Sequence, residues 1–183
     1  YRAAAKEVRA GILKYLWNEN EGIFIKMITH SGGHITHDMT LDISSMYGVF
    51  SFGVLPPDDP KLERAWEACA RRLSHGIQVG GLARFESDQY YRGDQDSAGN
   101  PWIITTLWYA EYLIAKAKTD ADLGRVRSIF SWVVKHAEQS GILPEQLNPQ
   151  TGEALSATPL AWSHAAYVSA VLKYLDRSAE VGR

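Results

Sequence analysis

The stretch Pro101-Trp-Ile-Ile-Thr-Thr-Leu-Trp-Tyr-Ala-Glu-Tyr-Leu-Ile-Ala-Lys-Ala117 decides the fold class. It is the most apolar window of the chain and is longer than a strand usually runs, and it opens on a proline, which suits a helix start. Residues 102–117 therefore read as a buried helix, and the flanks supply its neighbours. Upstream, Leu62, Ala65, Trp66, Cys69, Ala70 and Leu73 recur at helical spacing from Lys61 to about His75. Pro56-Pro-Asp-Asp-Pro60 starts that helix, and Gly76, Gly80 and Gly81 break it. Asp42 or Ser44 caps an apolar segment running to about Leu55. Val8, Ile12, Tyr15 and Leu16 mark a first helix ended by Asn18, Asn20 and Gly22. Downstream, Asp120 or Asp122 caps a helix whose inner face carries Leu123, Val126, Ile129, Phe130, Val133 and Val134 and which ends at Ser140-Gly141. Leu160 to about Asp176 forms the last helix.

Six helices result, joined by alternating short and long connections. Gly22 to Ile28 reads as a short strand or an extended linker, and Thr29 to His37 as a polar, glycine-bearing loop. No alternating strand pair with a hairpin turn is expected, so the fold class is all-α. The pattern of connections places helical hairpins side by side with one loop-rich face. The most apolar helices, near 102–117 and 160–175, form an inner layer and the amphipathic ones an outer layer. No repeat of the solenoid type accompanies this regularity.

Composition narrows the function. A chain of 183 residues is one domain or a piece of a larger one. Hydrophobic residues at 45% and charged residues at 22% exclude a disordered chain. Lys+Arg 19 against Asp+Glu 21 leaves a net charge of −2, without the basic footprint of a nucleic-acid binder. No apolar run approaches the ~18 residues of a membrane span. The lone cysteine, Cys69, forms no internal disulfide; it lies on an apolar helix stripe, where buried and inert is the expected state. Aromatic residues at 11% suit a carbohydrate site and a well-filled core equally. The chain opens at Tyr1, with no basic and then apolar leader before its first helix. A processed N-terminus or the tail of a longer protein is expected.

Chemistry concentrates in the two long connections. Gly141-Ile-Leu-Pro-Glu-Gln146 sets a carboxylate after a helix stop, where Pro144 holds Glu145 in a rigid frame. A catalytic base needs such placement, and a solvated loop glutamate has the same spacing. Arg84-Phe-Glu-Ser-Asp-Gln-Tyr-Tyr91 gathers a guanidinium, two carboxylates and two phenols. That set suits sugar hydroxyls and sugar faces, and a surface Arg84–Asp88 ion pair accounts for it equally. Trp102 and Trp162 adjoin these connections, as pocket walls or as core. Ser163 and His164 are neighbours on a helix and point apart, which rules out a Ser-His hydrolase built on them. His30, His34 and His37 are a runner-up constellation for a metal, weakened by Gly32 and Gly33 and by the absence of a nearby cysteine. No phosphate-binding glycine motif occurs.

Three of these segments together resemble the C-terminal half of the glucoamylase-like enzymes of glycoside hydrolase family 15, which also includes glucodextranases and some trehalases. They are Ala83-Arg-Phe-Glu-Ser-Asp-Gln-Tyr90 with Gly99-Asn-Pro-Trp102, then Gly141-Ile-Leu-Pro-Glu-Gln146, then Ser156-Ala-Thr-Pro-Leu-Ala-Trp-Ser-His164. Their order and approximate spacing also match, over most of the chain from about Asp42.

The resemblance implies part of an (α/α)6 toroid, with residues 1–183 as the C-terminal portion of one catalytic domain. It implies an inverting, exo-acting α-glucosidase that releases glucose from the nonreducing ends of α-glucans. Glu145 would be the general base. Arg84 and Asp88 would hold the terminal glucose hydroxyls, Trp102 and Trp162 would line the pocket, and Tyr90 and Gln146 would make further contacts. No cofactor and no metal are implied. The family's general acid lies upstream in a Trp-Glu loop, whereas the one Trp-Glu pair here, Trp66-Glu67, sits in an amphipathic helix. The chain should therefore lack the acid. Its open edges call for the missing N-terminal half of the barrel or a homo-oligomer partner. The alternatives are a sugar-binding domain without catalysis and a helical interaction domain.

Overall fold

Two aspartates start the helices that frame the first part of the core. In the computed structural model, which describes residues 1–182, α2 (Ile43–Ser51) begins at Asp42, whose Oδ1 accepts from the Ser44 backbone N–H (3.0 Å) and hydroxyl (2.6 Å). Asp42 rather than Ser44 is thus the cap, and Lys26 Nζ lies 3.3 Å from its other oxygen. The next helix, α3 (Pro60–Arg72), begins at Asp59, which accepts from Lys61 N (2.8 Å), with Pro60 in its first turn. The apolar window forms α4 (Ile103–Lys116), most of whose side chains are buried. α1 (Arg2–Gly11) runs on into a π turn over Ile12–Leu16 and buries none of its own residues. α5 (Gly124–Lys135) follows a 3₁₀ turn, Ala121–Leu123. Asp122 accepts from the Lys118 and Thr119 N–H groups, so it shapes the approach to the helix and does not cap it. α6 (Ala161–Val181) ends the described chain.

α4 packs against α2, α5 and α6, and α3 packs against α2. A central row, α2–α4–α6, therefore has α3 and α5 behind it. Trp66 stacks on Tyr112 (5.1 Å between centroids) in the core shared by α3 and α4, and Leu107 and Leu62 are fully buried. Each such aliphatic side chain contributes about 1.5–3 kcal/mol through its burial. The one buried charge of α4, Glu111, is 3% exposed and ties the central row together. It accepts from the Tyr47 hydroxyl of α2 (2.9 Å) and the Ser169 hydroxyl of α6 (2.8 Å), and Lys173 Nζ lies 2.7 Å away. Burial, followed by this carboxylate, pushes the Tyr47 phenol up to about 12.

The class is all-α as the periodicity predicts, with short antiparallel strands in the connections. β1 (Trp17–Asn18) pairs with β2 (Ile23–Phe24), and β3 (Met27–Ser31) with β4 (His34–Asp38). The latter hairpin replaces the loop expected over Thr29–His37. Gly32 and Gly33, both at positive φ, form its turn, and its residues are mostly exposed on both faces, so no apolar alternation announces it. β5 (Leu82–Ala83), β6 (Pro101–Trp102), β7 (Gln146–Leu147) and β8 (Ala154–Leu155) form one sheet in that order. A bridge between Asp42 and Phe85 joins the connection before α2 to this sheet. All three long connections are thus hydrogen-bonded together.

Three further expectations are corrected. Val134, assigned to the inner face of α5, is exposed, because the helix turns only Val126 and Val133 fully inward. α5 stops at Lys135, before Ser140-Gly141. α6 buries only Ser163, Ala166 and Ala170 and leaves Val168, Leu172 and Leu175 exposed, since α4 covers one flank of it.

Candidate active site

The four-stranded sheet assembles what the chain keeps apart. Arg84 leaves β5, Trp102 lies in β6, Glu145 precedes β7 and Ser156 follows β8. Trp102 pairs with Gln146, and Gln146 with Leu155, so Glu145 and Ser156 fall opposite each other just beyond the ladder. The frame around Glu145 is main-chain: its N–H donates to Ala157 O (2.9 Å) and its carbonyl accepts from Ile103 N (3.2 Å). Ser163 Oγ donates to Pro144 O (2.8 Å), and His164 Nε2 accepts from Leu143 N (3.0 Å). Those two neighbours thus brace the backbone before Glu145 and form no nucleophile–base pair with each other.

The half-buried Glu145 accepts at Oε2 from the Ser156 hydroxyl (2.5 Å), which itself lies 3.3 Å from the Tyr90 hydroxyl. Glu145 Oε1 has no hydrogen-bond partner among the described residues, so one carboxylate oxygen is held and the other is open to a water. Beside it stands an aromatic and cationic wall. The Tyr90 and Trp102 rings are 6.1 Å apart, and the Arg84 guanidinium lies 4.5 Å from the Trp102 ring and 5.7 Å from that of Tyr90. Arg84 grips the buried Asp88 with two bonds, Nε to Oδ2 (2.9 Å) and Nη2 to Oδ1 (3.0 Å), and Tyr90 N donates to the same Oδ1 (3.0 Å). A charge-assisted fork of this kind holds both partners rigid.

Backbone strain concentrates at the same place. Ser87, Tyr91 and Ser156 are the non-glycine residues at positive φ among those described (58°, 52° and 63°), and all three border this cluster. Such conformations cost about 1–3 kcal/mol each and persist where surrounding structure over-determines them, as at functional sites.

Six of the seven expected site residues come together: Glu145, Arg84, Asp88, Tyr90, Trp102 and Gln146. Tyr90 is 46% exposed, whereas Trp102 and Asp88 are nearly covered and Gln146 is wholly so. Trp162 stands apart, 55% exposed at the start of α6 and edge-on to Trp108 (6.0 Å), which stacks on Tyr47 (4.4 Å). Ser156 and Asn100 are the residues that motif reading left without a role. The signal for Ser156 was its place at the head of the third motif. Glu86, the other carboxylate of the Arg84–Tyr91 segment, is taken by Arg72 (2.6 Å) and by Leu41 N (3.1 Å). Glu67 is exposed on α3, and its neighbour Trp66 is buried in the core. Neither Glu86 nor Glu67 is therefore a free carboxylate beside Glu145.

The histidine constellation does not converge. The register of β3 and β4 pairs His30 with Ile35 and Ile28 with His37, which puts His30 and His37 on one face and His34 on the other. No group of three His, Cys, Asp or Glu side chains suited to a metal occurs among the described residues. An apolar groove of about 610 Å³ between α1 and α2, lined by Val8, Ile12, Phe24, Val49 and Phe52 among others, contains no carboxylate and lies outside the cluster.

A family model for the mannosylglycerate hydrolase MGH1-like glycoside hydrolase domain matches residues 1–163. An uncharacterized glycosyl hydrolase of Methanocaldococcus jannaschii is 34% identical over 140 residues, covering 72% of this chain and 21% of the relative. A trehalase of Mycobacterium tuberculosis is 26% identical over 180 residues, 98% of this chain and 24% of its own length. The chain thus spans less than a quarter of these two relatives, between Tyr1 and Arg183. The solved structure of a bacterial glucoamylase complexed with acarbose superposes with a TM-score of 0.75 at 22% identity, over 94% of this chain and 28% of that one. That likeness shows the fold: three helical hairpins of an (α/α)6 toroid.

Proposed function

The chain belongs to the mannosylglycerate hydrolase MGH1-like glycoside hydrolase family, and from that premise we propose that it is the C-terminal portion of one (α/α)6 catalytic domain. The activity proposed for the whole domain is that of an inverting, exo-acting α-glucosidase of the glucoamylase type, close to glycoside hydrolase family 15. The observation that carries this reading is the Glu145 carboxylate, gripped at one oxygen by Ser156 and open at the other, beside the Tyr90–Trp102–Arg84 wall.

In this mechanism Glu145 takes a proton from a water, and the water attacks the anomeric carbon from the face opposite the leaving group. Inversion requires a second carboxyl about 6.5–9.5 Å away, leaving room for that water. Neither Glu67 nor Glu86 is placed for this, and we assign the general acid to chain outside this segment, without which the segment is inactive. Arg84 and Asp88, locked together, present a rigid polar edge to the terminal sugar hydroxyls, with Trp102 and Tyr90 under the sugar face. Trp162, exposed beside Trp108 at the start of α6, offers the substrate a separate aromatic contact on the side of the central helix row. The substrate is an α-glucoside or α-glucan, and no cofactor is needed.

The test is hydrolysis by the full-length protein of maltooligosaccharides, trehalose and mannosylglycerate, with the product anomer followed by NMR. Glu145→Gln should lower the rate by about 10²–10⁴-fold while leaving the melting temperature in place. A Glu145→Gln protein as active as its parent refutes the assignment. A full-length protein that binds glucose but hydrolyses none of the three favours a sugar-binding domain without catalysis.

A further inference from the structure

Next to Glu145 lies a side-chain amide whose two ends are alike in shape and opposite in polarity. Gln146 is wholly buried; its Oε1 accepts from Asn100 Nδ2 (2.8 Å) and its Nε2 faces Glu145 Oε2 at 3.5 Å. What turns the amide this way lies outside it. Asn100, also buried, accepts at Oδ1 from the Gly93 N–H (2.9 Å) and donates from Nδ2 to the Tyr91 carbonyl (2.7 Å). Main-chain groups have fixed polarity, since an N–H only donates and a carbonyl only accepts. Two of them therefore orient the Asn100 amide one way only. Its remaining Nδ2 hydrogen then meets Gln146, which must offer Oε1 there and turn Nε2 toward Glu145. Tyr91, whose carbonyl accepts that bond, holds a left-handed φ of 52°. Gly93 keeps the opposite approach clear: a Cβ there would stand 3.1 Å from Asn148 Nδ2 and 3.3 Å from Asn100 Oδ1.

We propose that Asn100 is a positioning residue of the reaction: it fixes the Gln146 amide so that an N–H, and not a carbonyl oxygen, faces the Glu145 carboxylate. This rests on the assignment of Glu145 as general base. An N–H beside the carboxylate favours its ionised form, the form that takes a proton from water, whereas a turned amide sets oxygen against oxygen.

The test is Asn100→Asp in the full-length protein. The new carboxylate keeps the size of the side chain and the bond from Gly93 N, but donates to neither Tyr91 O nor Gln146 Oε1. The Gln146 amide then turns over to donate to it. The acidic limb of the kcat/KM profile should move up by about half a pH unit or more. In a Gln146→Ala background the same substitution should move it by less, leaving only the through-space effect of the new charge. Asn100→Ala, which frees the amide without adding charge, should move the limb in the same direction by less. An unmoved limb, or an equal move in the Gln146→Ala background, overturns the proposal.

A second measurement needs no variant and no turnover. In the parent protein the Gln146 side-chain amide resonance should shift as pH passes through the ionisation of its neighbouring carboxylate. An amide insensitive to pH overturns the proposal, whatever the variants do. A parent that hydrolyses no glycoside but shows the shifting amide refutes the glycosidase reading and leaves the positioning intact.

Discussion

Replacing Ser156 separates two things that this residue does at once. Its backbone sits at a φ of 63°, which strains any residue with a Cβ, and its hydroxyl donates to Glu145 Oε2. Ser156→Ala removes the hydroxyl and keeps the strain, while Ser156→Gly removes both. The strain is of order 1–3 kcal/mol, and glycine gives back about 0.5–1 kcal/mol through the entropy of its unfolded state. The glycine variant should therefore be the more stable by about 1 kcal/mol and should melt above the alanine variant. A hydrogen bond to a charged acceptor contributes about 1.5–3 kcal/mol. Glu145 is only half-buried, which reduces that to about 1 kcal/mol. Both variants of the full-length protein should thus show the acidic limb of kcat/KM moved up, and by the same amount. Thermal melts and pH–rate profiles of the two variants decide it. The reasoning fails if the alanine variant melts at or above the glycine variant, or if the limb stays where it is in the parent.

Three further outcomes are expected. Asp42→Ala removes the α2 cap and strands Lys26, at a cost of about 1–2 kcal/mol, so the melt should fall by about 4 °C, and an unchanged melt refutes the capping role. Burial pushes the Cys69 thiol well above the usual range, so iodoacetamide at pH 8 should leave it unmodified until denaturant opens the core, with intact-mass spectrometry as the readout. The Tyr47 phenol stands at about 12 in the fold against about 10 in the unfolded chain, so the folded state holds its proton longer. The resulting stability is complete below about pH 10 and is lost as pH rises toward 12; urea midpoints should decline over that window and decline less in Tyr47→Phe.

The helices were legible because their signals are local. Asp42 before an apolar run, Asp59-Pro60 before an amphipathic one, and the unbroken apolarity of 103–116 each act within a turn or two. The strands were not, since a two-residue strand has no period to detect, and the hairpin of Met27–Ser31 with His34–Asp38 exposes both faces. The site divides along the same line. Arg84 and Asp88 are four residues apart, and their pairing could be read directly. The bond from Asn100 to Gln146 spans 46 positions and exists only once the sheet has formed. Trp162 shows the converse: a motif match placed it with Trp102, while its first contact is with Trp108 on the central row.

The sheet that carries the site has a kinetic consequence. Its strands run from Leu82 to Leu155; the β5–β6 and β6–β7 ladders join elements with a long connection or whole helices between them, whereas β7 and β8 form a local hairpin. Loops of that length must close before their pairings return any free energy, and contacts of high sequence separation slow folding. The helical hairpins and the β7–β8 hairpin, which sets Ser156 against Glu145, can form first, and the joining of that hairpin to Trp102 and Arg84 comes last. A nascent chain would thus hold a nearly complete helical scaffold before it holds a site, and a chain halted short of Ala154 would expose β7 as an open sheet edge beside a carboxylate with nothing to hold it.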